Sequence, residues 1–211
     1  MTTYEHVMVG ANLALAANLN QTRGWPIIAL AGVAAALPDW DGLSILFGPH
    51  AYAAAHRAWG HNVLAASVLG AVVGAVEYRF EISRRLQNGL GRVLRLPASP
   101  HASASNRALD PWSAGLWIVT GVVAANSHLL ADFFYSGGRE SSWPLPLLWP
   151  FSSQRWALPL VPWGDLGATL IFVVEMFVLY RRSRRARVIA LLTLALVVAY
   201  VALRGGLFKR A

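Results

Sequence analysis

The chain has 211 residues, 56% hydrophobic and only 13% charged, with a mean hydropathy of +0.46. Soluble domains usually carry about 25% charged residues, so this composition excludes a disordered chain and argues against an ordinary soluble enzyme. Net charge is +8, from 18 Lys and Arg against 10 Asp and Glu. On an apolar chain such charge belongs at membrane borders rather than on nucleic acid. Cysteine is absent, which removes disulfides, thiolate ligands and a thiol nucleophile. Met1 to His6 lack a basic start and carry Glu5, so no cleavable signal peptide is expected.

Six apolar stretches follow in chain order, at roughly 6–19, 25–38, 61–78, 112–135, 161–180 and 188–203. A spanning helix needs about 20 apolar residues. The third to fifth stretches meet or approach that length, and the first two are short enough to be core helices or half-spans. The sixth lies between the Arg clusters 181–187 and 204–210. No alternating strand pattern appears. The expected fold is all-α, a polytopic integral membrane bundle of about five to six membrane helices. Residues 79–111 read as a surface loop, Arg-rich with a short amphipathic helix at 79–95, then marked by Pro97, Ser99, Pro100, Ser103 and Ser105. Residues 136–165 hold five prolines (Pro144, Pro146, Pro150, Pro159, Pro162), which exclude a regular helix. Four tryptophans there suggest a loop at the lipid–water interface.

Placing 79–111 and 181–187 in the cytoplasm puts 12 basic residues inside and 6 outside, as the positive-inside rule requires. The basic C-terminus, with Lys209 and Arg210, runs against it. Under this alternation His6 starts the first helix at its outer end. The second helix runs outward to Pro38-Asp39-Trp40-Asp41-Gly42. The third begins after His56-Arg57-Ala58-Trp59-Gly60-His61, and the fourth carries Asn126, His128 and Asp132 near its outer end. Residues from 6 to 132 thus converge on one membrane face, whichever face that is.

His128 and Asp132 share a helix face at i, i+4, a spacing that suits two ligands of one metal. Imidazole with carboxylate favours zinc, manganese or iron, and the absence of thiolates does not exclude zinc. Asp39 and Asp41 would diverge on a helix, but Pro38 and Gly42 suggest an irregular end where both could point one way. The bland readings stand beside these: a border histidine for His6, a helix-ending turn for Asp39 and Asp41, a satisfied buried pair for His128 and Asp132. His50 and His101 read as solvated loop residues. Glu77 and Glu81 with Arg84 and Arg85 read as a solvated helix face, and the Trp and Leu stripe at 143–149 as interface anchoring. Glu175 sits alone in the fifth helix and is unassigned.

At these residues the chain resembles the LexA-regulated inner-membrane metal-dependent hydrolases, the YdjM-like proteins. The matches are His6, the Pro-Asp-Trp-Asp turn at 38–41, the His56 to Asn62 segment, His128 to Asp132, and Leu145-Pro146-Leu147-Leu148-Trp149-Pro150-Phe151. Ala58, Gly60 and Asn62 stand where that family's third motif has Gly, Thr and Ser. The resemblance spans about residues 5–155 and implies a hydrolase-like membrane domain over 1–155. Residues 156–211 then add two C-terminal membrane helices to the same domain. A more distant likeness, in the order His, Asp, His, then HxxxD, is to the all-α zinc phospholipase C and single-strand nuclease phosphodiesterases. It implies one or two metals, with His128, Asp132, a turn Asp and one of His56/His61 on the first, and His6 with Asp132 on the second.

The resulting expectation is a membrane-embedded metal-dependent hydrolase acting on a phosphoester, with phospholipid as a candidate substrate. The metal ligands are drawn from His6, Asp39, Asp41, His56, His61, His128 and Asp132. The divalent metal is zinc, or manganese or magnesium. Asp39 or Asp41, whichever does not ligate, is the candidate general base, and Arg57 the clamp for an anionic group. Asp41 and Arg57 are the catalytic candidates. The partner is membrane lipid and not nucleic acid, and the site lies on the extracytoplasmic side of a bacterial inner membrane. The alternatives are a small transporter handling metal or protons and an inactive metal-binding scaffold.

Overall fold

A computed structural model of the protein describes residues 1–94, 110–137, 142–162 and 164–208. The Pro97–Ser105 loop, His101, Arg139, Lys209 and Arg210 lie outside the described residues.

Nine α-helices and two 3-10 segments make up the described chain, with two isolated β-bridges and no strand. Helix α1 (Thr3–Ala16) starts from a capping box: Thr2 Oγ1 accepts the Glu5 amide while the Glu5 carboxylate accepts the Thr2 amide. A short α2 (Leu19–Arg23) leads through Gly24, at φ 78°, into α3 (Trp25–Ala36), which opens with Pro26 in its first turn. A long 3-10 segment, Leu37–Phe47, and α4 (Pro49–Ala55) follow. Asn62 caps α5 (Val63–Phe80), and Asp110 caps α7 (Pro111–Phe134). Between them α6 (Ile82–Val93) is the expected amphipathic helix, with Ile82, Leu86, Leu90 and Val93 exposed. Helices α8 (Gly167–Arg181) and α9 (Ala186–Phe208) flank a 3-10 turn, Ser183–Arg185.

Helices α5 and α7 pack against each other, as do α1 and α3. Glycine makes both contacts close. A methyl group at Gly70 or Gly121 would strike the opposing backbone, and one at Gly10 would strike Ala31 and Ala35. Small residues let membrane helices approach where no hydrophobic driving force operates between them. The outward faces carry Val68 and Val72 on α5, Val123 and Leu130 on α7, and Leu192 and Leu196 on α9, all exposed. Such an apolar belt is stable against hydrocarbon and costly against water.

Among the described residues, four helical segments are long and apolar enough to cross a membrane: Trp25–Phe47, Val63–Phe80, Pro111–Phe134 and Ser183–Gly206. Helices α1 and α8, with 14 and 15 residues, pack beside them. At 1.5 Å per residue they reach about 21–23 Å. Successive elements reverse direction, so the N-terminal end of α1, the 3-10 segment, the start of α5 and the C-terminal end of α7 share one end of the bundle. Residues 142–162 contain no regular helix, as the prolines require.

Candidate metal centre

His61 lies at the middle of the polar cluster, in the turn that precedes α5. Its Nδ1 faces Asp41 Oδ2 at 3.0 Å. Its Nε2 faces Asp39 Oδ1 at 3.6 Å, Asp132 Oδ2 at 3.6 Å and His128 Nε2 at 3.1 Å. From α7, His128 Nε2 lies 3.5 Å from Asp39 Oδ1 and 3.8 Å from Asp132 Oδ2. His61, His128 and Asp132 therefore bring three donor atoms together at separations of 3.1–3.8 Å, and Asp39 Oδ1 stands 3.5–3.6 Å from both imidazole Nε2 atoms. Ligands at 2.0–2.1 Å from a tetrahedral zinc stand about 3.3–3.4 Å apart. The donor set fits a metal of that size.

The outer hydrogen bonds reinforce the fit. His128 Nδ1 lies 2.8 Å from the Ala35 carbonyl, so it carries the proton and Nε2 the lone pair. Asp41 sets the same tautomer on His61. Two ring lone pairs at 3.1 Å then face each other beside two carboxylates. A cation or a shared proton must lie between them.

The structure separates the two turn carboxylates. The irregular end suggested by Pro38 and Gly42 is a 3-10 helix, but its carboxylates do not point one way: Asp39 and Asp41 lie on opposite edges of the His61 ring. Asp41 stands behind the imidazoles. It accepts from the Gly60 amide at 3.0 Å and faces His56 Nδ1 at 2.9 Å. His56 can join Asp39 and His61 in a second donor group, and His6 can join Asp39 and His128 in a third. His6 stacks on His128 with centroids 3.6 Å apart, and its Nε2 lies 3.2 Å from Asp132 Oδ1.

Arg57 is buried, with its backbone at φ 60°. Its Nη2 lies 2.6 Å from Asp132 Oδ2 and its Nη1 donates to the Trp143 carbonyl at 2.9 Å. The Met1 amino group also donates to Asp132, at 2.6 Å. Arg57, His56, Asp39 and Asp132 line a cavity of about 530 Å³ at this end of the bundle.

The departures in the third motif have local reasons. A side chain at Gly60 would strike the Pro38 carbonyl, so glycine lets the turn close on the 3-10 segment. Asn62 caps α5 and donates to the Trp59 carbonyl at 3.0 Å.

Several neighbours were not legible beforehand. Trp143 packs edge-on against His56 and Tyr52, which places this member of the 143–149 stripe against the site. Tyr52 stacks on His56 at 4.6 Å. Burial, then the charge of Asp39, raises its phenol above the ordinary range, so it remains a donor. Thr3 donates to Asp39 Oδ2 at 2.8 Å, and buried Glu5 accepts from Thr169. Glu5 had a signal in the capping-box spacing Thr2–Glu5; Trp143 had none. Two other expectations are corrected. Glu77 is buried and accepts the Ser83 amide rather than lying on a solvated face. His50 is exposed but lies on α4, not in a loop. Asn126 ties α7 to Ser67 of α5 and stays outside the donor set.

No curated protein and no solved structure matches the chain. A family model does, that of the YdjM inner membrane protein, over residues 1–207. The motif order, the helical bundle and this match agree, and the chain belongs to the YdjM inner membrane protein family.

Proposed function

We propose that the protein is a membrane-embedded metal-dependent hydrolase of phosphoesters, its site on the extracytoplasmic side. The observation that carries this reading is the convergence of three donor atoms from His61, His128 and Asp132 at 3.1–3.8 Å, with Asp39 beside both imidazoles, next to a cavity. Those four residues would hold the metal, with zinc favoured by the two imidazoles and the spacing. When bound, such an ion polarises a phosphoryl oxygen and makes water nucleophilic near neutral pH.

The chain's own groups supply the rest. Asp41 holds the rings of His56 and His61 in place and in one tautomer, a positioning role. His56, beside the cavity, can accept and return a proton at Nε2 while Asp41 steadies Nδ1. The Tyr52 phenol, which lines the same cavity, is the candidate donor to a substrate oxygen. Arg57 orients Asp132 and adds positive charge to the cavity wall. The distant phosphodiesterase likeness points to a second metal, for which His6 and Asp132 Oδ1 are the candidate ligands.

The test is elemental analysis of gently purified protein, wild type beside the double variant His128→Ala/Asp132→Ala, followed by phosphodiester and phospholipid assays. Zinc or manganese near one or two per chain, absent from the variant, with phosphoester cleavage that follows metal content, supports the reading. A wild type that takes up no transition metal even on reloading would sink it. A shared proton would then explain the His61–His128 contact.

A further inference from the structure

The cavity over the donor set has an apolar neighbour. A groove of about 410 Å³ runs between α1, α7 and α9, lined by Val9 and Leu13, Leu130 and Phe134, and Val197 and Val201. Its exposed lining is almost wholly apolar. Tyr135 and Met1 line both spaces, which therefore adjoin. Ala131 faces the groove and the next residue, Asp132, faces the donor set. A turn of α7 therefore carries the boundary between a charged chamber and a hydrocarbon slot. Another apolar crevice, between α8 and α9, shares no lining residue with that cavity.

A membrane amphiphile matches this layout. Its anionic phosphoester head fits the chamber, where Arg57 and the proposed metal supply positive charge. Its chain fits the groove, entering sideways between α7 and α9 from the bilayer. A water-soluble phosphoester would use only the first half. We infer that the site takes lipid phosphoesters, with the head at the His61–His128 centre and one apolar chain in the α1/α7/α9 groove. This rests on the metal-hydrolase reading and narrows its substrate.

The probe is a long-chain alkyl phosphate with a terminal diazirine, added to zinc-loaded protein in phosphatidylcholine nanodiscs and mapped by mass spectrometry. The expected result is labelling concentrated on Leu130, Phe134, Val197 and Val201, and displaced by unmodified alkyl phosphate. Val201→Trp, on α9 and away from the donor set, should cut it roughly tenfold by overfilling the groove while leaving zinc content unchanged. Ala131→Trp is the second variant. Label spread evenly onto Val68 and Val72 of α5, or groove labelling indifferent to both tryptophans, would overturn the inference. So would groove labelling that persists undiminished in His128→Ala/Asp132→Ala protein, since the head would then not be held at the centre. Zinc content, measured first, separates a failure of the metal reading from a failure of the groove.

Discussion

Two of the buried polar clusters in this membrane bundle differ in kind. One draws Asp39 from the 3-10 segment, His61 from the turn before α5, and His128 and Asp132 from α7, with His6 of α1 stacked on it. The other rests on one contact, the Asn12 amide of α1 donating to Glu175 of α8 at 2.8 Å. Both look alike in a hydropathy trace, as ionisable residues inside apolar helices. In the first cluster lone pairs face lone pairs, and the arrangement asks for a cation or a proton. In the second a neutral amide meets one carboxylate, and the contact ties α1 to α8. Burial alone does not mark a metal site; the orientation of the donors does.

The sharpest way to break this contrast is His61→Ala. It removes the central donor, and metal affinity should fall by well over 100-fold in a competition titration, since removing a ligand costs more than the roughly 10–100-fold of an outer hydrogen-bond partner. Retained affinity would mean that the donors do not act together. Asp41→Asn comes next. It leaves the donor atoms but loosens the imidazoles, and about a 10–100-fold loss is expected in the same titration. No loss would show that Asp41 merely fills space.

Gly60→Ala probes the turn rather than the donors. The added methyl meets the Pro38 carbonyl, so a destabilisation of roughly 1–3 kcal/mol is expected from overpacking, read as a lower melting temperature with metal loss following. Glu175→Gln should do less. It preserves the Asn12 contact in form, should leave metal content unchanged and should shift stability by no more than about 1 kcal/mol, one hydrogen bond's worth. Metal loss in that variant would show that the two clusters are coupled, as a proton-handling path would require.

The smallest effect concerns the cap of α7. The Ser113 and Trp112 amides hold the Asp110 carboxyl below its ordinary 3.8. A depressed pKa stabilises the fold above the unfolded value and loses that contribution as pH falls through the folded one. Asp110→Asn keeps the cap without titrating. The difference in melting temperature between wild type and variant should therefore shrink on acidification below that range, and a constant difference would refute the assignment.

Much of this was legible beforehand for particular reasons. The proline runs and apolar stretches located α3, α5, α7, α8 and α9 within a few residues, because length and hydropathy are local quantities. The arrival of His6, Asp39, His61, His128 and Asp132 at one end followed from alternation alone, since each crossing helix reverses direction. Trp143 could not be placed, because its loop carries no periodicity and its partners His56 and Arg57 lie more than 80 positions away. Glu77 was misread because a charged residue near a helix end is usually solvated, and only the tight turn through Glu81 at φ 48° brings the Ser83 amide back to it.

Composition and order along the chain thus determined a helical membrane protein with its His and Asp motifs at one face, because hydrophobic length and alternation depend only on sequence. Tertiary structure decided which atoms meet. The same two aspartates two residues apart take different roles because the 3-10 backbone turns them to opposite edges of one imidazole. That ring reaches them only because Gly60 lets its turn close against Pro38.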